Sequence, residues 1–235
     1  MDRQHRRELK HDRFVDEIGV LSTRARENQR VLVALAVTAL TIALVAYGIY
    51  FYRSNQERKA QDLLAVAIET IETPIINPNQ PNPLAKFKTE AERTATAEKQ
   101  FKDVKAKYIG TDAADVADLY LARIAAGRGD IAGARKLLQE FVQEHPKHVL
   151  VGAARYSLYQ LRIESGEEQQ VANDLTAELA KKDPVLPADS LLVLLAHSYE
   201  VLGNDQKSRD TYKRIVTEFP DSPFALEAQR RVGPA

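Results

Sequence analysis

The sequence predicts an all-α protein in which one membrane-spanning helix is followed by a solenoid of helical hairpins. Val31 to Tyr52 (VLVALAVTALTIALVAYGIYFY) runs for 22 residues without a charge, between Arg30 and Arg53. Gly129, Gly166 and Gly203 recur every 37 residues, and Pro146, Pro184 and Pro220 follow them by 17, 18 and 17. Between these glycines and prolines the apolar residues fall at helical rather than alternating spacing.

The first element is the apolar run, residues 31–52. A hydrocarbon core of roughly 30 Å needs about 20 apolar residues at the helical rise. Thr38 and Thr41 are the polar side chains within it, and their hydroxyls can bond back to the helix. Tyr47, Tyr50, Phe51 and Tyr52 crowd the C-terminal end, where amphipathic rings favour the headgroup level. Ala46 and Gly48 have the spacing of a signal-peptide cleavage site, but the run exceeds an h-region of about 7 to 15 residues, so an uncleaved anchor is expected.

Eight Lys and Arg residues precede the run, against three (Arg53, Arg58, Lys59) in the ten residues after it. The positive-inside rule then predicts a cytoplasmic N-terminus and an external C-terminal part, which in a bacterium means a single-pass inner-membrane protein facing the periplasm. Overall charge is zero, dividing into +2 before the run and −2 after it, and this argues against nucleic acid as a partner. The absence of cysteine excludes disulfides, thiolate metal sites, a Cys nucleophile and lipoprotein attachment.

Residues 1–30 read as a basic arm. Phe14, Ile18, Leu21 and Ala25 share one helical face, suited to the inner leaflet or to a membrane partner. Residues 53–73 carry Ala60, Leu64, Ile68 and Ile71 on one stripe and contain no Gly or Pro, so the membrane helix is expected to run on as a juxtamembrane helix. Pro74, Pro78, Pro81 and Pro83 make residues 74–85 a stiff linker or extended loop, with turns at the intervening Asn residues. Residues 86–235 form the repeat domain.

Within each repeat, Gly supplies the left-handed cap of helix A, and Asp130 or Asn204 caps helix B. Helix B carries its apolar stripe (Leu137, Leu138 and Phe141; Tyr212, Ile215 and Phe219), and Pro ends it. The segment KQFKDVKAKYIGTDAA aligns with RDTYKRIVTEFPDSPFA at an offset of 111, three times the period, placing Phe101 over Tyr212 and Val104 over Ile215. Ser222 followed by Pro223 predicts the start of a closing helix over 222–232. A period of this size implies hairpins that bury their apolar faces against one another.

These positions resemble the tetratricopeptide (TPR) repeat. With Gly129 at the fifteenth position, Leu121, Ala122, Ala125, Ala134, Leu138 and Pro146 fall on the motif. Leu195, Ala196, Tyr199, Ser208, Tyr212 and Pro220 do so in the third unit. The middle unit departs at Val171 and at its late Pro184. The resemblance implies a TPR-like solenoid over about residues 86–232. The whole plan, a basic arm, one span and an exported repeat domain, is also similar in architecture to the ancillary subunit family of the bacterial Sec translocon. That similarity implies a non-catalytic scaffold for protein export or envelope biogenesis, partnered by translocon subunits and periplasmic chaperones. The alternative is a structural or regulatory subunit of another envelope complex, in division or secretion machinery, with the span and the arm at Phe14, Ile18 and Leu21 carrying the contact.

The family's concave surface maps onto Leu119, Arg123 and Ala126, then Tyr156, Gln160 and Ile163, then Val193, His197 and Glu200. Apolar anchors beside a few polar groups suit an extended peptide or a partner helix. Arg123 and Gln160 do not reproduce the Lys and Asn clamp with which some repeats of this type hold a C-terminal carboxylate. His145 and His148 flank Pro146 without a carboxylate at ligand spacing, so no metal site is expected. Gly127 and Gly129 form a lone G-x-G explained by the repeat turn, and Glu167 and Glu168 read as a charged helix face. No catalytic constellation and no cofactor site emerge.

Overall fold

The computed structural model describes residues 29–80 and 82–233, and the chain divides into two compact units, residues 1–55 and 56–235. The predicted amphipathic helix of the arm, with Phe14, Ile18, Leu21 and Ala25, lies outside the described residues. In the first unit every residue from Val31 to Tyr52 is exposed. These residues belong to helix α1, Gln29–Glu72, which is long and apolar enough to cross a membrane. Thr38 and Thr41 donate to the carbonyls of Ala34 and Val37, each at 2.9 Å, and so satisfy their hydroxyls within the helix.

The second unit opens with the rest of α1, and here the structure differs from the sequence reading. Ala60, Leu64 and Ala67 of α1 pack with Phe101 and Val104 of α2 (Glu90–Lys107) and with Ala113, Ala117, Leu121 and Ile124 of α3 (Asp112–Gly127). Residues 56–72 are thus the first helix of the repeat body, not a separate juxtamembrane rod preceding a domain that begins at residue 86. The stripe at spacings of four and three was legible, but its partner was hidden behind the proline-rich segment.

That segment is a pinned loop. Ile75 bridges Phe87, with Ile76 N–H donating to the Phe87 carbonyl at 2.8 Å, and the Arg93 guanidinium reaches the Thr73 carbonyl at 3.2 Å. Asn77 and Asn82 close side-chain turns by accepting from the N–H groups of Asn79 and Leu84. The Asn-Pro chemistry therefore makes turns, as its composition predicts, while both ends return the chain to one hairpin.

The remaining elements are α4 (Ile131–Glu144), α5 (Val151–Arg162), a wide turn at Ile163–Glu167, α6 (Glu168–Leu179), α7 (Ala188–Val201), α8 (Asp205–Glu218) and α9 (Ala225–Val232). Each cluster of core residues draws on successive helices. Ala122 of α3 meets Leu138 and Phe141 of α4 and Ala154 and Leu161 of α5, while Leu192 and Ala196 of α7 meet Tyr212 and Ile215 of α8 and Ala228 of α9. Neither of these hairpins closes its core alone, which is the physical basis of a solenoid. The closing helix starts at Ala225 rather than at Ser222, because the Ser222 hydroxyl accepts from Phe224 N–H and donates to Asp189 at 2.7 Å, holding the preceding turn.

Gly129, Gly166 and Gly203 adopt φ of +83°, +88° and +69°, as the repeat reading requires. In the first and third cases the next residue completes a Schellman-type cap, with Asp130 N–H on the Ala125 carbonyl at 2.9 Å and Asn204 N–H on that of Tyr199 at 2.8 Å. Nothing lies within 4 Å of a Cβ added at Gly203, so the cost of substitution there is conformational. Gly203→Val is expected to lose about 1 kcal/mol or more, and Gly203→Asn clearly less, in urea unfolding followed by circular dichroism. Equal midpoints for the two variants would contradict the cap.

Candidate interaction groove

Four of the nine predicted groove residues come together. Leu119, Arg123 and Ala126 of α3 face Gln160 of α5 across a cleft of about 360 Å³, floored by Ala122 and Leu161 and edged by Ser157 and Glu164. The floor is apolar because α3 and α5 are both first helices of their hairpins, with small residues at the contact. Arg123 is exposed and has no ion-pair partner among the described residues. It also lines a neighbouring cleft of about 490 Å³ with Arg93, Arg128, Glu90 and Tyr120. The other two guanidiniums there are engaged, Arg93 with Thr73 and Glu90, and Arg128 with Glu98. Arg123 is therefore the guanidinium of these two clefts without an ion-pair partner among the described residues.

The other five residues have structural roles that helix periodicity could not separate from groove positions. Ile163 is 1% exposed and sits in the core with Val171 and Leu175. Tyr156 is half-buried and stacks on Phe224 with ring centroids 6.4 Å apart, and burial holds its hydroxyl pKa above the ordinary value. Val193 packs into the cluster that receives α9. His197 Nδ1 lies 3.5 Å from Glu200, whose other oxygen pairs with Arg231 of α9 at 3.0 Å. Burial, with the Glu200 carboxylate acting alongside, pushes the Tyr212 hydroxyl up to about 12. On α7, Val193 and Glu200 thus meet the chain's own closing helix, while His197 is partly exposed.

The middle repeat turn replaces a cap with an ion-pair knot. Where the other units have Asp130 or Asn204 accepting a backbone N–H, Glu167 makes no such bond. Its carboxylate instead receives Arg162 at 2.9 Å and Arg135 at 2.5 Å, and these two hold its pKa below the ordinary value. Glu167 is therefore an inter-hairpin tie, not one charge on a solvated face.

The histidine turn also differs from expectation. His145 Nδ1 is 3.0 Å from Asp115 Oδ2, and ligand atoms of Asp112, Asp115 and His148 all lie within 4.8 Å of one another. The carboxylates that sequence spacing did not supply come from the start of α3, about one repeat upstream. Burial holds the Asp115 pKa above its ordinary value, opposed by the two imidazoles.

The model of the tetratricopeptide repeat-like domain family matches residues 26–184, and that of the tetratricopeptide repeat matches residues 190–222. No curated protein matches the chain. Among solved structures, the chain is similar to a crystal structure of nearly identical TPR-like repeats from a Podosopora anserina kinesin light chain, at 16% identity and a TM-score of 0.49, over 74% of this chain and 83% of that one. The repeat glycines, the shared cores and the family match over most of the length agree: the chain belongs to the tetratricopeptide repeat-like domain family.

Proposed function

We propose that this protein is a membrane-anchored interaction scaffold. The apolar half of α1 crosses the bacterial inner membrane, and the repeat body on the periplasmic side captures exported proteins or extended peptides. The observation that carries the reading is the division of labour within α1, a helix of 44 residues whose apolar run is exposed while its later residues Ala60, Leu64 and Ala67 are buried in the repeat core. An apolar run of that length which no core covers has a bilayer as its fitting solvent. The domain plan is then a cytoplasmic arm at 1–30, the span at 31–52 and a repeat body from residue 56. The architectural similarity to the Sec ancillary subunits makes export or envelope biogenesis the assigned process, with translocon subunits and periplasmic chaperones as partners.

Binding falls to the cleft at Leu119, Arg123, Ala126 and Gln160. A photoreactive residue at Gln160 in full-length protein, with a second strain carrying it at Phe14, tests this by in-cell crosslinking. Capture of exported chains or translocon subunits at Gln160, lost on Arg123→Glu at unchanged thermal melting, is the expected result. Capture at Phe14 alone of a division or secretion complex would move the function to the arm and the span. Tyr156→Ala, by contrast, is expected to lower the melting temperature, since it removes the ring under Phe224.

A further inference from the structure

We infer that Asp112, Asp115 and His148 form a binding site for a divalent transition metal of the zinc class, tying α3 to the turn between α4 and α5, with His145 beside it on Asp115. The donors come from two segments that only the hairpin packing brings together. Ligand atoms of Asp112, Asp115 and His148 lie within 4.8 Å of one another, and His145 Nδ1 stands 3.0 Å from Asp115 Oδ2. Two carboxylates and an imidazole, with water able to complete the shell, make the mixed oxygen and nitrogen set that zinc accepts, whereas calcium and magnesium favour oxygen alone.

Local charge points the same way. Asp118, the next carboxylate along α3, is neutralised by Lys105 at 2.6 Å. Asp115 is left to the two imidazoles, with Asp112 a further negative charge beside it. Glu57 adds a third carboxylate at this corner, accepting from Asp112 N–H at 2.8 Å and from Ala113 N–H at 3.2 Å. A dication bound at this corner compensates that concentration of negative charge. The rings are also positioned, since both pack on Phe141, with centroids 5.4 Å away for His145 and 5.2 Å for His148. Ring orientation fixed by packing lowers the cost of assembling a ligand set.

One hydrogen bond sets the chemistry of loading. His148 Nδ1 accepts from Leu150 N–H at 3.0 Å, which keeps the ring proton on Nε2. The metal takes His148 either at Nδ1, in place of Leu150 N–H, or at Nε2 once the proton has crossed the ring. Binding therefore changes the environment of the His148 imidazole.

The test uses full-length protein in detergent micelles, stripped with chelator, in a His5→Ala/His11→Ala background that removes the two arm histidines. Zinc chloride is titrated by calorimetry, and cobalt chloride by visible absorption. One zinc per chain, a rise in melting temperature with zinc and none with magnesium, and cobalt bands of low coordination number are expected. His148→Gln and Asp115→Asn should each abolish all three while keeping the helical circular dichroism of the parent. Asp112→Asn, an exposed position, provides a variant with little folding risk and should weaken binding by about tenfold or more. No zinc binding by the parent, or unchanged binding by His148→Gln and Asp112→Asn, would overturn the assignment and leave a His–Asp ion-pair cluster.

Discussion

Leu40→Arg/Leu44→Arg is expected to move the full-length protein out of the membrane fraction while leaving the repeat body folded. Both positions lie in the run where every residue from Val31 to Tyr52 is exposed, and neither contributes to a core of the repeat body. An arginine near the centre of a spanning helix costs about 2.5 to 3.5 kcal/mol on insertion scales, so the pair opposes insertion by about 5 to 7 kcal/mol. Leucines removed from the same positions add to that loss. Carbonate extraction and flotation read the distribution, and circular dichroism of the recovered protein reads the fold. Unchanged membrane retention would mean that the run is not the anchor. Loss of helical signal from the repeats would mean that the apolar run supports their fold.

The parts of this protein that follow from local chemistry were legible in its sequence. Gly129, Gly166 and Gly203 mark left-handed caps because a side chain is strained in that backbone region, so their spacing reported the repeat directly. Asp130 and Asn204 accept the capping bonds expected of them, from Gly133 N–H at 2.9 Å and Lys207 N–H at 3.2 Å. What was not legible depends on long-range packing. The stripe of Ala60 and Leu64 announced a buried face but not which helix covers it. The nine groove positions share one register of the repeat, yet Ile163 sits in a core and Glu200 answers Arg231 of the closing helix. A register places a residue on a face, and the number of helices stacked on that face decides whether solvent reaches it. The same limit hid the carboxylates beside His145 and His148, which lie at the start of α3, about one repeat upstream.

Phe101→Ala carries the strongest test of the revised body. Phe101 is 0% exposed, and its ring stacks on Tyr120 of α3 with centroids 4.7 Å apart and planes at 11°. Its cluster also holds Ala60, Leu64 and Ala67, so this one side chain joins three helices. Truncation of a buried phenylalanine costs about 3 to 5 kcal/mol, of the order of much of a domain's stability. Urea unfolding of a fragment spanning residues 56–233 should show that loss, while a fragment starting at residue 86 should begin with much of it already incurred, because Phe101 there lacks the α1 half of its surroundings. Leu64→Ala in the longer fragment provides the coupling, since residues sharing a core interact by about 0.5 to 3 kcal/mol in a double-mutant cycle. If Phe101→Ala costs the same in both fragments, and Leu64→Ala adds to it without coupling, then residues 56–72 contribute nothing to the repeat body. In a solenoid, stability is passed between neighbours, so removing the first helix should weaken the hairpin of α3 and α4 most and the one closed by α9 least. Hydrogen exchange along the two fragments would read that gradient, and its direction distinguishes a helix that nucleates the stack from one that merely precedes it.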